Sequence, residues 1–171
     1  MQTSYRFQRP LAVFYARACG PYADSSPAAW RLMLDWLDQQ GMRPKIKRGI
    51  GMIRDNPTLT GQFLRRYDAC VEVMPGLESN FHAGIGRQTL PGGSYAVHAH
   101  QGAHEGISDA LSKFHRTWLP EQGQMVDHSR SFLEIYLNDP ATTARADLRT
   151  EICVPLLSAK HTLSLISVRA A

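Results

Sequence analysis

No run in the 171 residues comes near the roughly 18 consecutive apolar positions that a membrane-spanning helix needs, so no such helix is expected. The opening MQTSYRFQRP has no apolar core of the kind a secretory signal requires. Cysteine is scarce. Cys19, Cys70 and Cys153 are odd in number, far apart and never in a C-x-x-C, which argues against a disulfide framework or a zinc knuckle. These features point to a reducing compartment, and the chain is expected in the cytoplasm.

Several chemical signatures are also missing. Without a G-x-S-x-G, the serines Ser94, Ser129 and Ser131 have no nucleophile context. The glycine-rich GIGRQTLPGG at 84–93 does not lead from a strand into a helix, so it is not a dinucleotide fingerprint, and no cofactor is expected. No helix-turn-helix pattern precedes Leu11, so no direct DNA-binding motif is read in the chain. Net charge is +4, and the basic residues are scattered apart from Arg43, Lys45, Lys47 and Arg48 around Pro44. That cluster is expected to be a solvated loop. His98 and His100 share a strand face, with His104 in the following turn. No cysteine or carboxylate stands at ligand spacing beside them, although Glu105 is near, and no metal site is expected.

What is present is an internal repeat. Gly20, Trp36 and Gly41 recur as Gly102, Trp118 and Gly123, 82 positions later. Pro57, Asp68 and Cys70 recur as Pro140, Glu151 and Cys153, 83 positions later. The words RDNPTLT and LNDPATT, and YDACVEV and TEICVPL, match as well. The reading is one domain over residues 1–157, made of two copies (about 11–74 and 93–157) joined through 75–92, with 158–171 as an extension. Each copy reads β-α-β-β. The strand is LAVFYARA or SYAVHAH, and a turn follows at Gly20-Pro21 or Gly102. In the first helix Ser26 suits the N-cap, Pro27 the first helical position and Gly41 the stop. In the second, Ile107, Leu111, Phe114 and Trp118 share a face and Pro120 ends the helix. Turns at Asp55-Asn56-Pro57 and Asn138-Asp139-Pro140 are expected to join the last two strands. The expected fold is α+β: a pseudo-twofold duplication with antiparallel sheets, a helix on each, and a ligand groove between the halves.

Side chains alternate across a strand. In FLEIYL, Phe132, Glu134 and Tyr136 oppose Leu133, Ile135 and Leu137. In TEICVPL, Glu151 and Cys153 oppose Ile152, Val154 and Leu156; in YDACVEV, Asp68 and Cys70 oppose Tyr67, Ala69 and Val71. The aliphatic faces are expected to pack on the helices and the acids to look into the groove. An acid between aromatic rings suits an organic cation, because rings offer apolar area and a negative π-face while the carboxylate offers a counter-charge. Glu134 has Gly51 as its counterpart in the first copy, so one half carries the acid where the other makes room. Cys70 and Cys153 read as small core or groove-lining residues.

The words Gly20-Pro21-Tyr22, LDWLDQQG, RDNP, YDACVEV, GGSYAV, Trp118-Leu119-Pro120, FLEIYLNDP and TEICVPL together resemble the GyrI-like small-molecule-binding domain. That is the family of the bacterial gyrase-inhibitory protein and of the effector-binding domains of AraC- and MerR-type multidrug regulators. The resemblance runs from about Val13 to Leu156 and implies a pocket between two βαββ units for lipophilic, often cationic, compounds. By matching position it implies Glu134 and Glu151 as the pocket acids, and it carries over Tyr95 and Trp36. Phe132, Tyr136, Asp68 and Cys153 join these as candidate ligand contacts. Three functions stay open: small-molecule binding in sequestration or regulator-like sensing; hydrolysis of cyclopropane-containing electrophiles, with Glu134 and Glu151 as candidate catalytic acids; and a protein-interaction module acting on gyrase. A regulator as protein partner and a homodimer also stay open. The tail 158–171, with its HTLSLISV run, matches no family word and is left as an edge strand or a frayed end.

Overall fold

The computed structural model describes residues 3–56, 59–78 and 83–157. Among these, eight strands form one antiparallel sheet. They are β1 (Thr3–Gln8), β2 (Leu11–Cys19), β3 (Gly49–Ile53), β4 (Arg66–Glu72), β5 (Ile85–Leu90), β6 (Gly93–Gln101), β7 (Phe132–Tyr136) and β8 (Arg149–Pro155). The order is β1-β6-β8-β7-β3-β4-β2-β5. From the β7–β3 seam outward it reads the same on both sides: second strand, third strand, first strand of a β-α-β-β unit. The sheets of the two units thus join edge to edge. Two strands were not anticipated. β1 precedes the first unit but lies beside β6, and β5, inside the expected 75–92 connection, lies beside β2. The expected turns lie within longer connections, 54–65 and 137–148. Pro57 and the tail 158–171 lie outside the described residues.

Helix α1 (Tyr22–Gln39) begins four residues before the expected Ser26 cap, leaving Pro27 inside it. Gly20, at φ 129°, turns the chain sharply enough for the helix to start directly after Pro21. Gly41, at φ 61°, stops it as expected, with Met42 N–H donating to Leu37 C=O at 2.9 Å. Helix α2 (Ile107–Lys113) runs into a π-turn over Phe114–Trp118 and one further turn over Leu119–Glu121. The π-turn shifts the buried face: Phe114 and Leu119, five apart, are fully enclosed, whereas Trp118 is only half-buried. Pro120 therefore sits in the last turn rather than ending the helix before it.

Both faces of the sheet are buried. On one, Ala29, Met33, Trp36 and Leu37 of α1 pack on Phe14, Ala16, Tyr67, Ala69 and Val71, and Ile107, Phe114 and Leu119 pack on Ala96, Ile152, Val154 and Leu156. On the other, Val13, Ile50, Met52, Cys70, Leu90, Tyr95, Val97, Leu133, Ile135 and Cys153 form a core without a helix residue. The sheet curls to close this face, as Gln88 on β5 reaches Met52 Sδ on β3, three strands away, at 3.5 Å. No helix among the described residues is long and apolar enough to cross a membrane.

Candidate functional site

Between α1 and the segment leading into α2 lies a cavity of about 700 Å³. Its floor is the seam between β3 and β7. Residues at helical spacing on α1, namely Tyr22, Ser26, Trp30 and Leu34, make one wall; His104 and Ile107 make the other. Tyr67, Glu134 and Tyr136 rise from the floor.

Two glycines create the space. Gly51 pairs directly with Glu134 across the seam, and Gly49 with Tyr136. A Cβ on Gly51 would stand 2.9 Å from Glu134 Oε2 and nearly on the Tyr67 hydroxyl. One on Gly49 would meet the Trp30 ring at 2.5 Å. The sequence signal is the short word GIG at 49–51, whose two glycines share the cavity face.

Glu134 is the buried acid of this site, whereas Glu105 and Asp139 are exposed at its edge. It is 9% exposed, and its Oε2 accepts hydrogen bonds from the hydroxyls of Tyr67 (2.9 Å) and Tyr136 (2.6 Å). The two hydroxyl oxygens are 2.9 Å apart, and Trp30 Nε1 donates to Tyr67 Oη at 3.2 Å. Burial raises the proton affinity of the Glu134 carboxyl, and the two hydroxyls offset part of that rise. Burial, then the nearby Glu134 charge, holds both tyrosines well above the usual phenol range, so they are neutral donors. Aromatic edges complete the enclosure: Trp30 on Tyr136 at 5.3 Å, His104 on Tyr136 at 5.0 Å, and Tyr22 on Tyr67 at 6.4 Å between centroids. Burial also keeps His104 below the usual imidazole range and pushes Tyr22 up to about 12.

A buried acid with a raised pKa destabilises the fold once the pH exceeds its unfolded value. The folded state then holds more protons than the unfolded one, so stability falls as the pH rises through that window. Glu134→Gln removes the titration and keeps an acceptor for the tyrosines. The variant is expected to melt above the wild type at pH 8, with the difference shrinking towards pH 4. A melting series across that range measures it.

The structure brings only part of the anticipated set together. Glu134 and Tyr136 line the cavity. Phe132 shares their face but packs under His115 and His128, with centroids 5.0 and 6.4 Å away, outside the lining. Glu151 does not face the groove. It pairs in register with Ile135, whereas Glu134 pairs with Ile152, so the two acids lie on opposite faces of the sheet. Glu151 instead accepts from the two terminal guanidinium nitrogens of Arg6, at 2.7 and 2.9 Å. Asp68, fully buried on that same face, takes Arg17 at 2.6 and 2.8 Å and Gln88 at 3.0 Å. Tyr95 lies there too, under the Arg130 guanidinium at 4.9 Å. Cys153 is a buried free thiol, pushed up to about 12 chiefly by burial. Trp36 is in the α1 core against Phe14. The expectation that aliphatic faces meet the helices holds for β4 and β8 and fails for β7, where Phe132, Glu134 and Tyr136 take the helix side.

Trp30, Tyr67 and Tyr22 were not singled out as site residues by sequence, and His104 was weighed only as a metal ligand. Nor was the rim role of Arg43 and Lys47, which flank the cavity rather than an uninvolved loop. The histidines separate: His98 rests on Phe114, His100 Nε2 is 3.2 Å from Ala103 C=O, and His104 lies on Tyr136.

Residues 1–157 match the model of the GyrI-like small molecule binding domain. The chain belongs to the GyrI-like family. One relative is the probable transcriptional regulator YgiV of Escherichia coli strain K12, 30% identical over 148 residues, covering 86% of this chain and 89% of that protein. Among solved structures, the EcmrR C-terminal domain superposes with a TM-score of 0.70 at 17% identity, over 92% of this chain and 98% of that one. SAV2435, solved bound to tetraphenylphosphonium, gives 0.64 at 15% identity, over 94% and 97%. These likenesses place the chain in the GyrI-like fold.

Proposed function

We propose that the cavity binds lipophilic organic cations, for sensing or for sequestration. The observation that carries this reading is Glu134: one buried carboxylate on the floor of an aromatic cavity, held by Tyr67 and Tyr136. An ionised carboxylate in low dielectric attracts a cation strongly and is itself relieved by it. The ring faces and edges of Tyr22, Trp30 and Tyr136 supply apolar contact and a negative quadrupole. The relative solved with tetraphenylphosphonium lends support at the level of ligand class.

The test uses a charge-only pair: methyltriphenylphosphonium and its carbon isostere 1,1,1-triphenylethane. The wild type is expected to bind the cation at least about tenfold tighter, the scale of one charge-assisted contact. In Glu134→Gln the two affinities are expected to converge. Equal affinities in both proteins would end the reading.

A second reading uses the same carboxyl. Burial favours its protonated form, which suits a general acid or base acting with water on a strained electrophile. Incubation with a cyclopropane-containing electrophile, followed by product masses, separates turnover from binding.

A further inference from the structure

The polar floor of the cavity has spent its donors. With the Glu134 carboxyl ionised, Tyr67 and Tyr136 each give their single proton to Oε2. The Trp30 N–H goes to Tyr67 Oη. The contact between the two tyrosine oxygens can then exist only as a share of those same protons. What remains for a ligand is lone pairs. Glu134 Oε1 accepts no hydrogen bond among the described residues. The buried side-chain atoms without a partner there are Thr3 Oγ1, Gln8 Nε2 and Thr150 Oγ1. Oε1 is not one of them, so it keeps contact with the open cavity that Glu134 lines.

Resting on the cation-binding reading above, we infer that the preferred ligands are protonated amines whose N–H lands on Glu134 Oε1, rather than onium ions that lack a donor. A quaternary ammonium or phosphonium gains the Coulomb attraction and the aromatic contact but leaves Oε1 desolvated and unpaired. A protonated amine of the same size gains both and satisfies the acceptor. Sites built to meet a donor reject the analogue without it, because the buried acceptor is then left bare. The unshared placement of the two hydroxyls on one oxygen is what makes the site selective. Had each taken a different carboxylate oxygen, no single acceptor would face the ligand.

The probe pair is chlorpromazine, protonated at pH 7, and its N-methyl quaternary derivative, which replaces the ammonium N–H with a methyl group on an unchanged tricycle. Titration calorimetry of the wild type is expected to show the amine binding at least about tenfold tighter, the scale of one hydrogen bond to a charged group. In Glu134→Gln, checked for folding by its thermal melt, the ratio is expected to fall towards one. Equal binding, or tighter binding of the quaternary ion, in the wild type overturns this inference and leaves cation binding standing. Failure of both cations to bind overturns the cation reading itself and this inference with it.

Discussion

Gly51→Ala is expected to lower stability by about 1–3 kcal/mol, the usual cost of forcing a methyl into a packed interior. It is also expected to weaken binding of methyltriphenylphosphonium roughly tenfold to a hundredfold. The added carbon would fall nearly on Tyr67 Oη and 2.8 Å from Tyr67 Cζ, so the ring has to leave. Tyr67 is buried between α1 and the sheet, and the open volume it can enter is the binding cavity itself. Moving it breaks a hydrogen bond to a charged carboxylate, worth about 1.5–3 kcal/mol, which sets the affinity loss. Two comparisons isolate the cause. Gly61→Ala, where nothing lies within 4 Å of the new carbon, is expected to leave both quantities unchanged. Adding Tyr67→Phe to Gly51→Ala removes the atom most directly struck and is expected to restore part of the stability but not the binding. If Gly51→Ala melts and binds like the wild type, the close approach at the seam has no weight.

Arg17→Met is expected to cost about 3–5 kcal/mol, because it strands a carboxylate that has no exposure. Asp68 is enclosed, and its two oxygens are held by the Arg17 fork at 2.6 and 2.8 Å. Gln88 adds one neutral hydrogen bond at 3.0 Å, and Arg54 stands at 3.8 Å, too far to replace a bidentate pair. For a chain of this length that loss corresponds to a fall in melting temperature of roughly 6–20 °C. Replacing both partners, Arg17→Met with Asp68→Leu, is expected to recover most of it, since an apolar pair of similar volume often matches a buried ion pair. Arg6→Met serves as the exposed comparison. Arg6 has a 41% exposed side chain, and its pair with Glu151 is expected to be worth at most about 1 kcal/mol.

The sequence carried the element order because glycines, prolines and the two helical stripes repeat at fixed offsets. It also identified Glu134, with Phe132 and Tyr136, as one face of one strand. It could not say which face that was. In a sheet with one wet side, the aliphatic set marks the core. Here both sides are dry, and Leu133 and Ile135 fill the helix-free core as fully as Ile152 and Val154 fill the other. Apolarity therefore loses its directional meaning, and only the register of β7 on β8 separates Glu134 from Glu151. Trp30 was hidden for a related reason. It sits on a stripe wide enough to serve both the core, through Met33 and Leu37, and the cavity wall, through Ser26 and Leu34. A wide stripe reads as core throughout. β5 was missed because IGRQTL, with a glycine and three polar residues on an edge, has little of a strand's composition.

The placement of β1 has a consequence for how the protein is made. Thr3–Gln8 is the first described strand to leave the ribosome, yet among the described residues its only strand neighbour is β6, Gly93–Gln101. Until that later segment emerges, Tyr5 and Phe7 belong to a strand without its described neighbour, although β2, α1, β3 and β4 already have one another. Assembly from the amino terminus therefore starts at the second strand, and the chain's beginning is fastened late. Slowing translation before residue 93 would lengthen the time that an unpaired, aromatic strand is open to other nascent chains.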